Sequence, residues 1–187
     1  MLKYLITGGA GFIGSTLANY LSKENSVIVI DDLSMGKKEN LIKNSNLEFI
    51  NGSVTDKELM TEILSNNKFD YIFHLAAIAS VADSVERPLE THQINFESVL
   101  MLLELIRKHQ KDLKRLVFSS SAAVYGDEPT LPKKEESVIR PLTPYAVDKF
   151  AAEQYVLDYY HLYGIPTSAV RFFNVYGPNQ NPESPYS

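Results

Sequence analysis

The sequence predicts an α/β fold, a doubly wound parallel sheet, and three observations predict it. Six short apolar runs rich in Ile, Val and Phe alternate with longer stretches of helical periodicity. Several of those runs are almost wholly apolar, as parallel strands covered on both faces must be. A glycine-rich turn joins the first run to the first helix. At 187 residues and 44% apolar content, the chain is long enough for one well-cored domain.

The first strand is read over 3–7 (KYLIT) and the first helix over 12–23. Between them stands TGGAGFIG, residues 7–14, holding both Gly9-x-Gly11-x-x-Gly14 and Gly8-x-x-Gly11-x-x-Gly14. Glycines let a backbone turn tightly and approach a pyrophosphate, while a helix N-terminus supplies N–H donors and positive dipole. The strand–turn–helix context that this motif requires is present. The second strand is read over 27–30 and runs into Asp31 and Asp32, where an acid can receive the adenosine ribose hydroxyls. A carboxylate there repels a 2′-phosphate, so NAD is expected rather than NADP; Lys37 and Lys38 are the cations that would argue otherwise.

Further strands are read over 47–50, 71–75, 115–120 and 168–173, and helices over 56–66, 89–110 and 144–163. HLAA (74–77) closes the fourth strand and SSSAAVYG (119–126) the fifth. In TPYAVDKF, Thr143 suits an N-cap and Pro144 the first helical position. Tyr145 and Lys149 then share one helix face, about 5–6 Å apart. Ligands of open parallel sheets bind at the carboxyl ends of strands, near the switch in strand order. Glycine turn, serine loop and tyrosine–lysine helix therefore converge on one edge.

Composition narrows the function. Net charge is −5 with no long basic run, which disfavours nucleic acid and anionic membranes as partners. Cysteine is absent, so there is no disulfide framework, thiol nucleophile or cysteine zinc site. His74, His92, His109 and His161 lack carboxylate partners at ligand spacing, and no metal is expected. No run approaches a membrane span and the N-terminus enters a strand directly, so a cytoplasmic protein is expected.

Taken together, GxxGxxG, a serine after strand five and YxxxK resemble an extended short-chain dehydrogenase/reductase with a Rossmann fold. More narrowly, TGGAGFIG, HLAA, SSSAAVYGD, PYAVDK and RFFNVYGPNQ resemble the UDP-glucose and UDP-N-acetylglucosamine 4-epimerases of the NAD-dependent epimerase/dehydratase family. The resemblance runs over essentially the whole chain. It implies a UDP-sugar substrate epimerised at C4 through a transient 4-keto sugar, with NAD as cofactor. Tyr145 is then the base, Lys149 its cationic neighbour and a holder of the nicotinamide ribose, and Ser121 a hydrogen-bond partner of the reacting oxygen.

By the same resemblance, Gly8, Gly11, Phe12, Ile13 and Gly14 meet the pyrophosphate, and Asp31, Asp32, Ser34 and Gly36 the adenosine. Ser53 and Val54 lie toward adenine, and Leu75, Ala76, Ala77, Asn95, Ser119 and Phe173 line the cofactor. Ser84 and Asn174 are expected on the substrate. Ala122 and Ala123 stand where related dehydratases carry an acidic group; alanines transfer no protons, which disfavours elimination. Ser53 replaces a common aspartate and Phe172 a frequent tyrosine.

Residues 1–175 are expected to form the NAD-binding domain with the Ser/Tyr/Lys set, and 176–187 the start of a truncated substrate lobe. Apolar stripes on the helices near 89–110 and 144–163 suggest a homodimer. Two alternatives stay open: a sugar-nucleotide reductase or dehydrogenase with exchangeable NAD(H), and a catalytically silent NAD-binding module.

Overall fold

The computed structural model describes residues 1–180. Six parallel strands form one sheet: β1 (Lys3–Thr7), β2 (Ser26–Asp31), β3 (Leu47–Asn51), β4 (Tyr71–His74), β5 (Arg115–Ser121) and β6 (Thr167–Phe172), ordered β3-β2-β1-β4-β5-β6. The strand order reverses between β1 and β4. Each strand lies within a residue or so of its expected position, and the doubly wound architecture is as the alternating pattern requires.

Side chains alternate across the strands and so divide the core between two faces. Leu5, Ile28 and Ile30 join one cluster with residues of α2 (Lys57–Asn66), α5 (Ser98–His109) and α6 (Pro144–Tyr163). Tyr4, Ile6, Val27 and Val29 point the other way and pack with Ala18 of α1 (Phe12–Leu21).

Helix starts follow their caps. Asp56 accepts from the N–H groups of Glu58 and Leu59, both at 3.0 Å, which opens α2. Thr143 accepts from Ala146 N–H at 3.2 Å with Pro144 in the first turn of α6, as the sequence predicts. Gly164 (φ +68°) ends that helix in the left-handed conformation that glycine adopts without strain.

Two features depart from the expected pattern. The stretch near 89–110 is α4 (Pro88–His92), a π-helical turn (Gln93–Glu97) and α5, one helical run with a wide turn inside it. Periodicity shows apolar spacing but not a single inserted residue. A short helix, α3 (Val81–Glu86), also forms where no helix is expected; Ser80 caps it through Asp83 N–H at 3.1 Å. Of the expected start of a substrate lobe, residues 181–187 lie outside the described residues.

Candidate active site

The C-terminal ends of β1, β2, β4 and β5 form the edge at which the strand order reverses. Gly8 follows β1 with φ +68°, and a Cβ there would lie 2.7 Å from Ala76 N; a Cβ on Gly14 would lie 2.2 Å from Gly8 O. Only bare backbone closes this turn. Helix α1 begins from Gly11 without a side-chain cap, so no side chain competes with an incoming anion. A glycine turn feeding an uncapped helix N-terminus fits a pyrophosphate.

A cleft opens beside the turn. Its walls include Gly8, Gly11, Asp31, Asp32, Ser34, Gly36, Val54, Leu75, Ala76 and Ala77, all expected from the sequence. Ile30, Met35, Gly52, Ile78 and Ile94 complete it, and the sequence reading did not single these out. Asp31 is buried; one oxygen accepts from Ala10 N–H and the other from Leu33 N–H, both at 2.9 Å. The carboxylate is thus fixed at the end of β2 between the glycine turn and the following loop. Asp32 is exposed and closes a local turn by accepting from Ser34 N–H at 2.9 Å and from Ser34 Oγ at 2.6 Å.

The other expected residues are distributed around this cleft. Phe12 and Ile13 form the first turn of α1, both half-buried. Ser53 pairs with Thr55 Oγ1 at 2.9 Å. Asn95 sits in the π turn, buried, and clamps Ile78 by accepting from its N–H at 2.9 Å and donating to its carbonyl at 3.0 Å. It therefore shapes the segment after β4 that walls the cleft. Phe173 lies just beyond β6, exposed, and stacks on Tyr125 at 6.4 Å, with exposed Asn174 next to it. Ser84 is fully buried in α3 and donates to Val81 O at 2.7 Å, so any substrate contact there requires that bond to exchange.

The serine strand meets the tyrosine–lysine helix as the spacing predicts. Lys149 is 2% exposed; its Nζ donates to Ser119 O at 2.9 Å and lies 5.0 Å from the Phe118 ring and 6.0 Å from the Tyr145 ring. Burial pushes the Lys149 ammonium down to about 7, and the Asp148 carboxylate beside it pulls the other way. Tyr145 is buried in the first turn of α6. Ser121 ends β5, and its Oγ accepts from Ala123 N–H at 3.2 Å.

Several polar groups make long-range bonds; His74, at its strand end, is packed and hydrogen-bonded as its position suggests. His74 Nδ1 lies 2.9 Å from Thr7 Oγ1, which also accepts from Ala76 N–H at 3.3 Å, tying the ends of β1 and β4. Ser119 Oγ donates to His74 O at 3.1 Å. Complete burial, with Lys149 nearby, pushes the His74 imidazole down to about 3, so it stays neutral. His92 does have a carboxylate partner: its Nδ1 stands 2.7 Å from Asp148 Oδ1, a pairing between helices that linear spacing could not reveal. Even so, among the described residues no group of three or more His, Asp or Glu side chains is placed to hold a metal. Glu153 accepts from Ser120 Oγ at 2.6 Å and from the Arg171 guanidinium. The bonds of Arg171 to Glu153 and, less strongly, to Tyr125 hold the guanidinium pKa above its ordinary value. The signal for Glu153 was a carboxylate four residues beyond Lys149 on the buried face of an aromatic helix.

Fold and site together define a Rossmann-type parallel sheet with a glycine turn at its switch point and a serine, a tyrosine and a lysine carried on β5 and α6. The chain belongs to the NAD dependent epimerase/dehydratase family, whose model matches residues 4–187. It is 39% identical over 186 residues to a UDP-glucose 4-epimerase of Mycolicibacterium smegmatis, covering 97% of this chain and 58% of that one. The structure superimposes with a TM-score of 0.91 on a UDP-N-acetylglucosamine 4-epimerase from Methanobrevibacter ruminantium in complex with UDP-N-acetylmuramic acid. Identity there is 40%, over 100% of this chain and 59% of the other. A Thermus thermophilus UDP-glucose 4-epimerase in complex with NAD gives a TM-score of 0.89 at 36% identity, covering 99% and 59%. The chain thus spans somewhat under two thirds of the length of these relatives. Among the described residues, no helix is long and apolar enough to cross a membrane.

Proposed function

We propose that this chain carries the cofactor site and the catalytic residues of a UDP-sugar 4-epimerase that uses NAD. The observation that carries the reading is the buried Lys149, bonded to the serine strand of β5 and one helical turn from Tyr145, at the edge where the glycine turn opens. The chemistry that NAD supplies when bound is a reversible hydride sink, so that C4 passes through a ketone and is reduced again on its other face.

Tyr145 takes the proton of the 4-hydroxyl and later gives it back. A free phenol titrates near 10, so basicity at neutral pH requires lowering it by about 3 units, roughly 4 kcal/mol. The Lys149 charge favours phenolate most strongly where water is excluded. Ser121 hydrogen-bonds the same oxygen and shares its proton. Asp31 receives the adenosine ribose, with Asp32, Ser34, Gly36, Ser53 and Val54 around the base. Leu75, Ala76, Ala77, Asn95 and Ser119 line the cofactor, with Phe173 by the nicotinamide and Ser84 and Asn174 on the substrate side.

Ala122 and Ala123 offer no proton donor for elimination of water, which favours epimerisation over dehydration. The exposed Val147, Tyr155, Leu162 and Tyr163 of α6 favour a homodimer, and sedimentation of the full-length chain checks it. A soluble cytoplasmic setting accords with this chemistry.

The test uses the full-length chain with UDP-glucose, UDP-galactose and their N-acetyl forms. Interconversion without net absorbance change at 340 nm is expected. Tyr145→Phe should lose about 10²- to 10⁴-fold in rate, the usual contribution of a positioned acid–base group, with NAD affinity retained. Net NADH formation would instead identify a dehydrogenase. NAD binding with no turnover of any of these sugars rejects the epimerase.

A further inference from the structure

We propose that Glu153 and Arg171 are positioning residues that hold the serine segment of β5 in register with the tyrosine–lysine face of α6. The inference rests on the reading of Ser121 and Tyr145 as the reacting groups. Glu153 is 2% exposed and stands four residues past Lys149 on α6. Its Oε2 accepts from Ser120 Oγ at 2.6 Å. Both carboxylate oxygens accept from Arg171 Nε, at 3.2 and 3.0 Å, and Oε1 accepts from Arg171 Nη2 at 2.6 Å. Arg171 is the β6 partner of Ser120 in the ladder, so strand pairing and side-chain network agree in register.

The guanidinium continues past the strand. Arg171 Nη1 donates to Tyr125 Oη at 2.8 Å and to Glu135 O at 2.9 Å, and Tyr125 Oη donates to Lys134 O at 3.0 Å. Ser121 is therefore bracketed. Before it, Ser119 O is held by Lys149 and Ser120 by Glu153. After it, the short 3₁₀ turn Ala122–Tyr125 is anchored at its last residue by Arg171. Ser121 itself accepts from Ala123 N–H, which leaves its hydroxyl proton for another acceptor. A buried ion pair is weak evidence for stability, because apolar residues of similar volume often serve as well. A forked guanidinium and a carboxylate that join α6 and β6 to β5 and to the 3₁₀ turn on either side of Ser121 instead fix geometry, and geometry is what a proton-sharing serine needs.

The experiment compares wild type, Ser120→Ala, Glu153→Gln and Glu153→Ala in the full-length chain. Ser120→Ala removes one pin and leaves the ion pair intact. It should lower kcat about tenfold, because small misplacements of reacting groups are costly, with KM and NAD affinity within about twofold. Glu153→Gln keeps an acceptor for Ser120 and should recover part of what Glu153→Ala loses. Wild-type kcat in Ser120→Ala, or kcat falling only with the folded fraction, overturns the inference. Backbone amide exchange at Ser121–Ala123 is the second readout and should quicken in Ser120→Ala. If wild type turns over no sugar nucleotide, the reading of Ser121 fails while amide exchange still decides the positioning: unchanged exchange overturns it.

Discussion

His74 and Lys149 are buried bases whose charged forms the fold disfavours, and each leaves a signature in stability against pH. His74 titrates near 3 in the native state against 6.5 when free. Between those values the unfolded chain binds the extra proton, so stability falls as pH drops from about 6.5 toward 3, with a slope approaching about 1.4 kcal/mol per pH unit. Lys149 is displaced from 10.5 to about 7, so its contribution rises as pH increases from about 7 toward 10.5. Urea unfolding of wild type against His74→Gln should show a difference in stability that shrinks steadily between about pH 6 and 4. A difference that stays constant with pH would mean that the imidazole does not titrate this way. The type and place of these residues were legible in HLAA and YxxxK. The packing of His74 could also be read from its place at a strand end; the burial of Lys149 could not, because it depends on Phe118 and Ser119 arriving from β5.

At the scale of elements, the π turn at Gln93–Glu97 carries a residue that shapes the cleft wall. That residue is the buried Asn95, which bonds both backbone groups of Ile78, a residue of the cleft wall. Asn95→Ala leaves two backbone groups without their partners, each worth about 1–3 kcal/mol when buried. It should weaken NAD binding several-fold and speed amide exchange at Ile78, as calorimetry and hydrogen exchange can show; unchanged affinity would confine Asn95 to a packing role. The cap of α6 offers a cleaner contrast. Thr143→Ala removes the bond to Ala146 N–H at the turn that bears Tyr145, and should cost about 1 kcal/mol in urea unfolding. That cap could be read in the sequence, since Thr-Pro before an apolar period is a local signal. The contact that Asn95 makes from the π turn could not, because Ile78 lies 17 residues away in the chain.

At the scale of the molecule, the sheet brings Gly8, Asp31, Ala76 and Ile78 to one cleft from three separate crossovers. A ligand that binds only this assembled edge stabilises the whole fold by mass action, about 2.7 kcal/mol at a hundredfold excess over Kd. For a domain of this size that is roughly 5–10 °C in Tm, at about 2–4 °C per kcal/mol. NAD⁺ should therefore raise Tm by that order, while NADP⁺ should raise it little, because its 2′-phosphate meets the Asp31 carboxylate. Equal shifts with the two nucleotides would remove Asp31 from that role.

The sequence by itself determined the strand–helix alternation, the glycine turn, the acid ending β2 and the spacing of Tyr145 and Lys149, because each is encoded in neighbouring residues through period, cap or turn chemistry. Tertiary structure alone decided that Lys149 is sealed from water against Ser119, that His92 meets Asp148, and that Glu153 and Arg171 clasp the ends flanking Ser121. Those outcomes depend on long-range pairing across the sheet. Desolvation and charge pairing act through distance in space, and residues far apart along the chain carry no local pattern that fixes it.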